Sequence, residues 1–93
     1  MKISKEYVSP LARMRNLGPK SAELIESIGI FDAKALANAG TLEVCHKLIL
    51  AGHVISLNMA YAIQGALMDC DWRRIPIEFR RYLAVEFKKI KSR

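Results

Sequence analysis

No apolar run in this 93-residue chain approaches the roughly 18 residues that a membrane-spanning helix needs, so a membrane partner is not expected. The N-terminal stretch MKISKEYVSP has no apolar core of a secretory signal, which makes a reducing cytoplasm the expected setting. Cysteine is scarce: Cys45 and Cys70 follow neither a disulfide nor a metal-ligand spacing. No stretch shows the sustained alternation of a β-strand, and neither an internal repeat nor a low-complexity segment is evident. Proline and glycine are also few, at three and five residues, and they serve as punctuation between helical patterns.

What is present is apolar and, at one end, basic. The length suits one domain over residues 1–93, in which about two-thirds of the unfolded surface is buried and every helix must serve one core. A hydrophobic fraction of 52% is high for that size, so some apolar surface is expected to face a partner, most simply a second copy of the chain. Residues 1–72 carry seven Lys/Arg and seven Asp/Glu, whereas residues 73–93 carry eight Lys/Arg against Glu78 and Glu86. The whole net charge of +6 therefore sits in the last segment. Such a segment either attracts polyanions or is a solvated face that aids solubility.

The breakers predict five or six short helices in an all-α bundle. Ser9 and Pro10 start a short helix to Arg15. Pro19 starts a second, with Ala22, Leu24, Ile25 and Ile28 as its apolar face and Gly29 as a left-handed stop. Asp32 caps a third over 33–39, ended by Gly40. Thr41 caps a fourth, with Leu42, Cys45, Leu48 and Ile49 in phase and Gly52 at its end. Ser56 caps a fifth, 57 to about 69, apolar on nearly every side and hence central. Pro76 opens a sixth with a stripe of Phe79, Leu83, Phe87 and Ile90, flanked by Tyr82.

The loop Asn16-Leu17-Gly18-Pro19-Lys20 joins the first two helices. Asn16 tolerates a positive φ at modest cost and Gly18 freely, so a tight turn is expected that leaves backbone N–H groups at the head of the second helix. Lys20 adds a cation there, a combination suited to a phosphate. The segment NLGPKSAELIESIGI resembles the helix-hairpin-helix motif, with Asn16 in place of its first glycine, Leu17 as the central apolar residue and Gly18 as the second glycine. The Asn-Leu-Gly-x-Lys-Ser pattern also looks like the C-terminal domain of the bacterial RNA polymerase α subunit.

A wider resemblance covers roughly residues 10–80. Arg15 to Ser21, Ile28-Gly29-Ile30, Ala51-Gly52-His53, Ser56-Leu57-Asn58, Tyr61-Ala62, Gly65-Ala66-Leu67 and Trp72-Arg73 together look like the C-terminal domain of the TfoX/Sxy family. Those proteins are associated with bacterial competence and DNA transformation as regulators, not enzymes. Larger members carry an additional N-terminal domain, for which 93 residues leave no room. The resemblance implies a non-enzymatic regulatory module.

Other constellations are weak. Cys45, His46 and His53 do not reach the roughly four paired ligands of a zinc site, and Cys45 falls on an apolar stripe. No cofactor is expected. Glu23 and Glu26 share a helix face and read as solvated. Trp72 beside Arg73 and Arg74 reads first as a core plug and second as a base-stacking grip. Two functions remain. In the first, DNA phosphates are contacted without base reading by Arg13, Arg15, Asn16, Gly18, Lys20 and Ser21 of the hairpin, and by Arg73, Arg74, Arg80, Arg81 and Lys88 of the basic segment. In the second, the chain docks a transcription-related protein or a second copy of itself and binds no nucleic acid. The position of the last helix relative to Gly18 and Lys20 decides how far the first reading can extend.

Overall fold

A computed structural model describes residues 9–92. The stretch 1–8, read above for a signal, and Arg93 of the basic segment lie outside them. The described residues form five α-helices and two 3-10 turns, with no strand among them. A 3-10 turn at Leu11–Arg13 leads to α1 (Pro19–Glu26), α2 (Ala33–Ala39), α3 (Thr41–Leu50) and α4 (Leu57–Leu67). A second 3-10 turn at Trp72–Arg74 precedes α5 (Ile77–Lys91). None of these helices is long and apolar enough to cross a membrane.

The caps explain most boundaries. Asp32 Oδ1 accepts the Ala35 N–H at 2.8 Å and starts α2. Gly40 at φ 83° ends α2 and at once begins α3, so the two helices meet with no loop between them. Thr41 is therefore the first residue of α3, not its cap, and its hydroxyl bonds the Gln64 side-chain oxygen on α4 at 2.7 Å. Ser56 precedes α4 without a side-chain cap bond. The first helix expected over 10–15 shrinks to the 3-10 turn, because Met14 is extended and Asn16 is left-handed at φ 69°. Gly18, expected to share that freedom, sits at φ −111° and accepts the Ala22 N–H through its carbonyl at 2.9 Å.

The centre is α4, which packs against α2, α3, α5 and the second 3-10 turn. Its Ala60, Ile63 and Ala66 are buried with Leu11, Ile25, Leu36, Val44 and Leu48 from the surrounding elements. Small residues on α4 let its neighbours approach closely, which is how a helix apolar on nearly every side becomes the hub. On α5, Leu83, Phe87 and Ile90 are buried as the stripe predicts. Phe79 lies at the edge of the core, edge-on to exposed Tyr82 with ring centres 6.0 Å apart, beside a hollow that Gly40, Thr41 and Gln64 also line. Cys45 is fully buried, and desolvation pushes its thiol up to about 12.

The core and the surface predict opposite responses. Leu48→Ala removes a fully buried side chain and should cost about 2–5 kcal/mol in chemical denaturation. Val54, 98% exposed, should tolerate alanine within about 0.5 kcal/mol. Equal losses at both positions would contradict this packing.

Candidate functional site

The hairpin and the arginine turn meet at one side chain. The Leu17 N–H bonds the Met14 carbonyl at 3.2 Å, closing a turn with left-handed Asn16 inside it. That backbone conformation aims the Asn16 amide across the molecule. Its Nδ2 donates to the Cys70 carbonyl at 2.8 Å, and its Oδ1 accepts the Trp72 N–H at 3.2 Å. Asn16 thus spends both ends of its side chain within the protein.

The other half of this clasp is prepared by the end of α4. Asp69 is left-handed at φ 52°, its N–H bonds the Ala66 carbonyl at 3.1 Å, and the Cys70 N–H bonds the Gly65 carbonyl at 2.9 Å. The paired bonds are those of a Schellman turn, here with aspartate where glycine is usual. Gly65 lies directly beneath. A Cβ there would strike Asn16 Nδ2, the Cys70 carbonyl at 2.9 Å and Trp72 Cα at 3.1 Å. Glycine is needed for close approach, not for a positive φ. Three separated motifs of the resemblance noted above, Asn16-Leu17-Gly18, Gly65-Ala66-Leu67 and Trp72-Arg73, are therefore one spatial cluster.

Beyond the clasp, Asp71 organises the arginine turn. Its Oδ1 accepts both the backbone N–H and the Nε–H of Arg73, each at 3.0 Å, and its Oδ2 accepts from Nη2 at 2.9 Å. The side-chain hydrogen bonds of Arg73, its backbone N–H and its charge, with a smaller contribution from Arg15, hold the Asp71 carboxyl well below the usual carboxylate range. The same pairing raises the Arg73 guanidinium. Trp72 is half-buried and stacks flat on Tyr61, with ring centres 5.6 Å apart and an interplanar angle of 9°.

The result is an open groove of about 650 Å³ lined by Arg15, Asp69, Cys70, Asp71, Arg73 and Arg74. A second hollow of about 570 Å³ shares Arg15 and Asp69 and adds Arg13, Lys34 and an apolar floor from Met14, Ala37 and Leu67. Arg13, Arg15, Arg73 and Arg74 are all exposed. Lys34, at the start of α2, is a cation that sequence reading left out; only the packing of α2 on α4 brings it here.

The remaining predicted residues lie elsewhere. Lys20 lines a separate hollow with Glu23, Leu24, Ser27 and His53, where His53 Nε2 is 3.3 Å from Ser27 Oγ. Gly18 and Ser21 are half-buried at the head of α1. Arg80 Nε donates to the Ile75 carbonyl at 3.1 Å and braces the bend into α5. Arg81 and Lys88 are exposed on α5, which packs mainly on α3 and α4, whereas α1 packs on the first 3-10 turn and α3. The segment beside the hairpin is therefore the 3-10 turn with Arg73 and Arg74, and the basic helix itself is not paired with α1.

The sequence profile of the TfoX C-terminal domain matches residues 8–87. The chain belongs to that family. No curated protein sequence matches it significantly. Two crystal structures from Listeria monocytogenes share the fold. One, of an uncharacterized protein in a triclinic form, superposes with a TM-score of 0.83 at 17% identity, over 87% of this chain and 92% of that one. The other, of a protein of unknown function in a tetragonal form, gives 0.82 at 18% identity, over 86% of this chain and 99% of that one.

The electrostatics at Asp71 predict a titration. Because its pKa is depressed, the pairing with Arg73 is complete above the usual carboxylate range and is lost only as pH falls below it. NMR of the Asp71 carboxyl should show this, and Arg73→Ala should move the midpoint upward. An unchanged midpoint would mean that Arg73 does not hold the carboxylate.

Proposed function

We propose that this member of the TfoX C-terminal domain family is a non-enzymatic regulatory binding module, related to competence regulators, that contacts DNA phosphates without reading bases. The observation that carries the reading is the shared groove: Arg15 from the hairpin and Arg73 and Arg74 from the second 3-10 turn line one open surface, continued by Arg13 and Lys34. Guanidinium groups spaced along an open strip suit a phosphate backbone, which offers repeated oxygen acceptors at fixed intervals. Asp69 and Asp71 temper the strip, and Arg73 is already paired. Arg15, Arg13 and Arg74 are therefore the principal contacts in this reading. Lys20, Arg81 and Lys88 add to the long-range positive field from other faces.

A protein-docking alternative is favoured by a different feature. Phe79, Tyr82 and Val85 are exposed along one side of α5, and Leu50 and Val54 around the α3–α4 connection. Under that reading DNA would not bind, and light scattering or a partner complex would show burial of these residues.

Fluorescence anisotropy with unrelated duplexes separates the two. Similar affinities across sequences are expected, falling steeply as salt rises. Arg15→Glu with Arg74→Glu should weaken binding by more than about tenfold, and Lys20→Glu by less. Asp71→Asn, which releases Arg73 and removes a negative charge, should strengthen it. Absence of binding at low salt would overturn the DNA reading.

A further inference from the structure

We infer that Asn16 is a positioning residue: its amide clasp onto Cys70 and Trp72 holds Arg15 in register with Arg73 and Arg74, so that the three arginines act as one surface. The inference rests on the DNA-contact reading for its functional consequence, and on geometry alone for its structural one.

Leu11 and Leu17 are buried and Met14 packs on the core, which seats the arm on the bundle, while Asn16 bonds it directly to the 70–72 backbone. Arg15 precedes Asn16 in a turn whose backbone is closed by the single Leu17 to Met14 bond. Leu17 is buried and anchors the far side of the turn, but nothing in that contact sets the distance to the 70–74 segment. The Asn16 amide does so at two points, 54 and 56 residues away along the chain. Its donor and acceptor are both needed, because the Cys70 group is a carbonyl and the Trp72 group an N–H. The two partners flank Asp71, whose carboxylate fixes Arg73. The chain of constraint therefore runs from Arg15 through the Asn16 backbone and amide, through Cys70 and Trp72, to the turn that carries Arg73 and Arg74, where the Arg74 N–H bonds the Asp71 carbonyl at 2.8 Å. Gly65 gives the clasp its room, since any side chain there would occupy the position of the amide. Left-handed Asn16 and left-handed Asp69, residue types that take this conformation at modest cost, stand on the two sides of the same contact.

Two neutral variants test this. Asn16→Gly keeps access to positive φ and deletes the clasp, and Gly65→Ala displaces it from beneath by adding a methyl to a buried residue that faces no ligand. Helical circular dichroism should stay near that of the parent protein in both. The Trp72 amide should lose hydrogen-exchange protection, and NMR contacts between Arg15 and the 70–73 segment should disappear. DNA affinity should fall about tenfold in each. In the parent, Arg15→Ala and Arg74→Ala should be non-additive in DNA binding, and in the Asn16→Gly background they should become additive. A residue that merely stabilises the fold would lower stability without changing that coupling, and a direct phosphate ligand would leave Gly65→Ala without effect. Parent-like DNA binding and coupling in variants whose Trp72 amide has opened would overturn the positioning role. If the parent does not bind DNA, the functional reading fails instead. The clasp is then decided by exchange and NMR contacts, and their persistence in Asn16→Gly would overturn it.

Discussion

One amide joins the hairpin to the end of the central helix. The Asn16 side chain bridges the two, bonding the Cys70 carbonyl and the Trp72 N–H at once. Much of the local sequence follows from that contact. Asn16 is left-handed so that its amide reaches across, Gly65 lacks a Cβ so that the amide fits, and Asp69 ends α4 in a Schellman turn that presents the Cys70 carbonyl. Trp72, fixed at its backbone by the clasp, lays its ring on Tyr61 and closes the second 3-10 turn against α4.

The clasp also redistributes charge. Along the chain, the basic excess sits in the last segment and the hairpin is nearly balanced. In space, that segment divides. Its first two arginines are drawn beside Arg15, Arg80 is committed to a carbonyl at the bend, and the rest of the positive charge lies along α5, which packs on α3 and α4. Asp71 sits inside the arginine cluster as its internal counter-ion, which orders Arg73 while lowering the net field of the groove. Ordering and attraction are thus set against each other at one residue, and Arg15 and Arg74 carry the cationic character left over.

Local chemistry was readable residue by residue wherever a boundary depended on near neighbours. Asp32, Gly29 and Gly40 stop or start helices through their own backbone and side-chain preferences, so α2 appeared in the sequence with the bounds it has in the structure. The stripe Leu83, Phe87 and Ile90 was visible through its period. Thr41 misled because Gly40 took its place at the helix start, freeing the hydroxyl for Gln64, a partner 23 residues away. Gly18 misled because glycine permits a positive φ without requiring one. Asn16 carried the right backbone signal and the wrong purpose: its φ is a local property, but the groups its amide meets lie beyond any spacing rule.

By itself, then, the sequence determined an all-α chain, the bounds of α2 and the starts of α1 and α4, its apolar hub and the excess of positive charge at its end. Those properties depend on interactions within a few residues, where propensity, capping and periodicity act. The tertiary structure alone decided which arginines stand together, that Lys34 joins them, that the basic helix packs away from α1, and that Gly65 is the empty space in which Asn16 closes the groove. Those outcomes depend on groups far apart along the chain, 54 and 56 residues for the two Asn16 bonds, whose meeting is set by how helices pack across α4 and by no pattern along the chain.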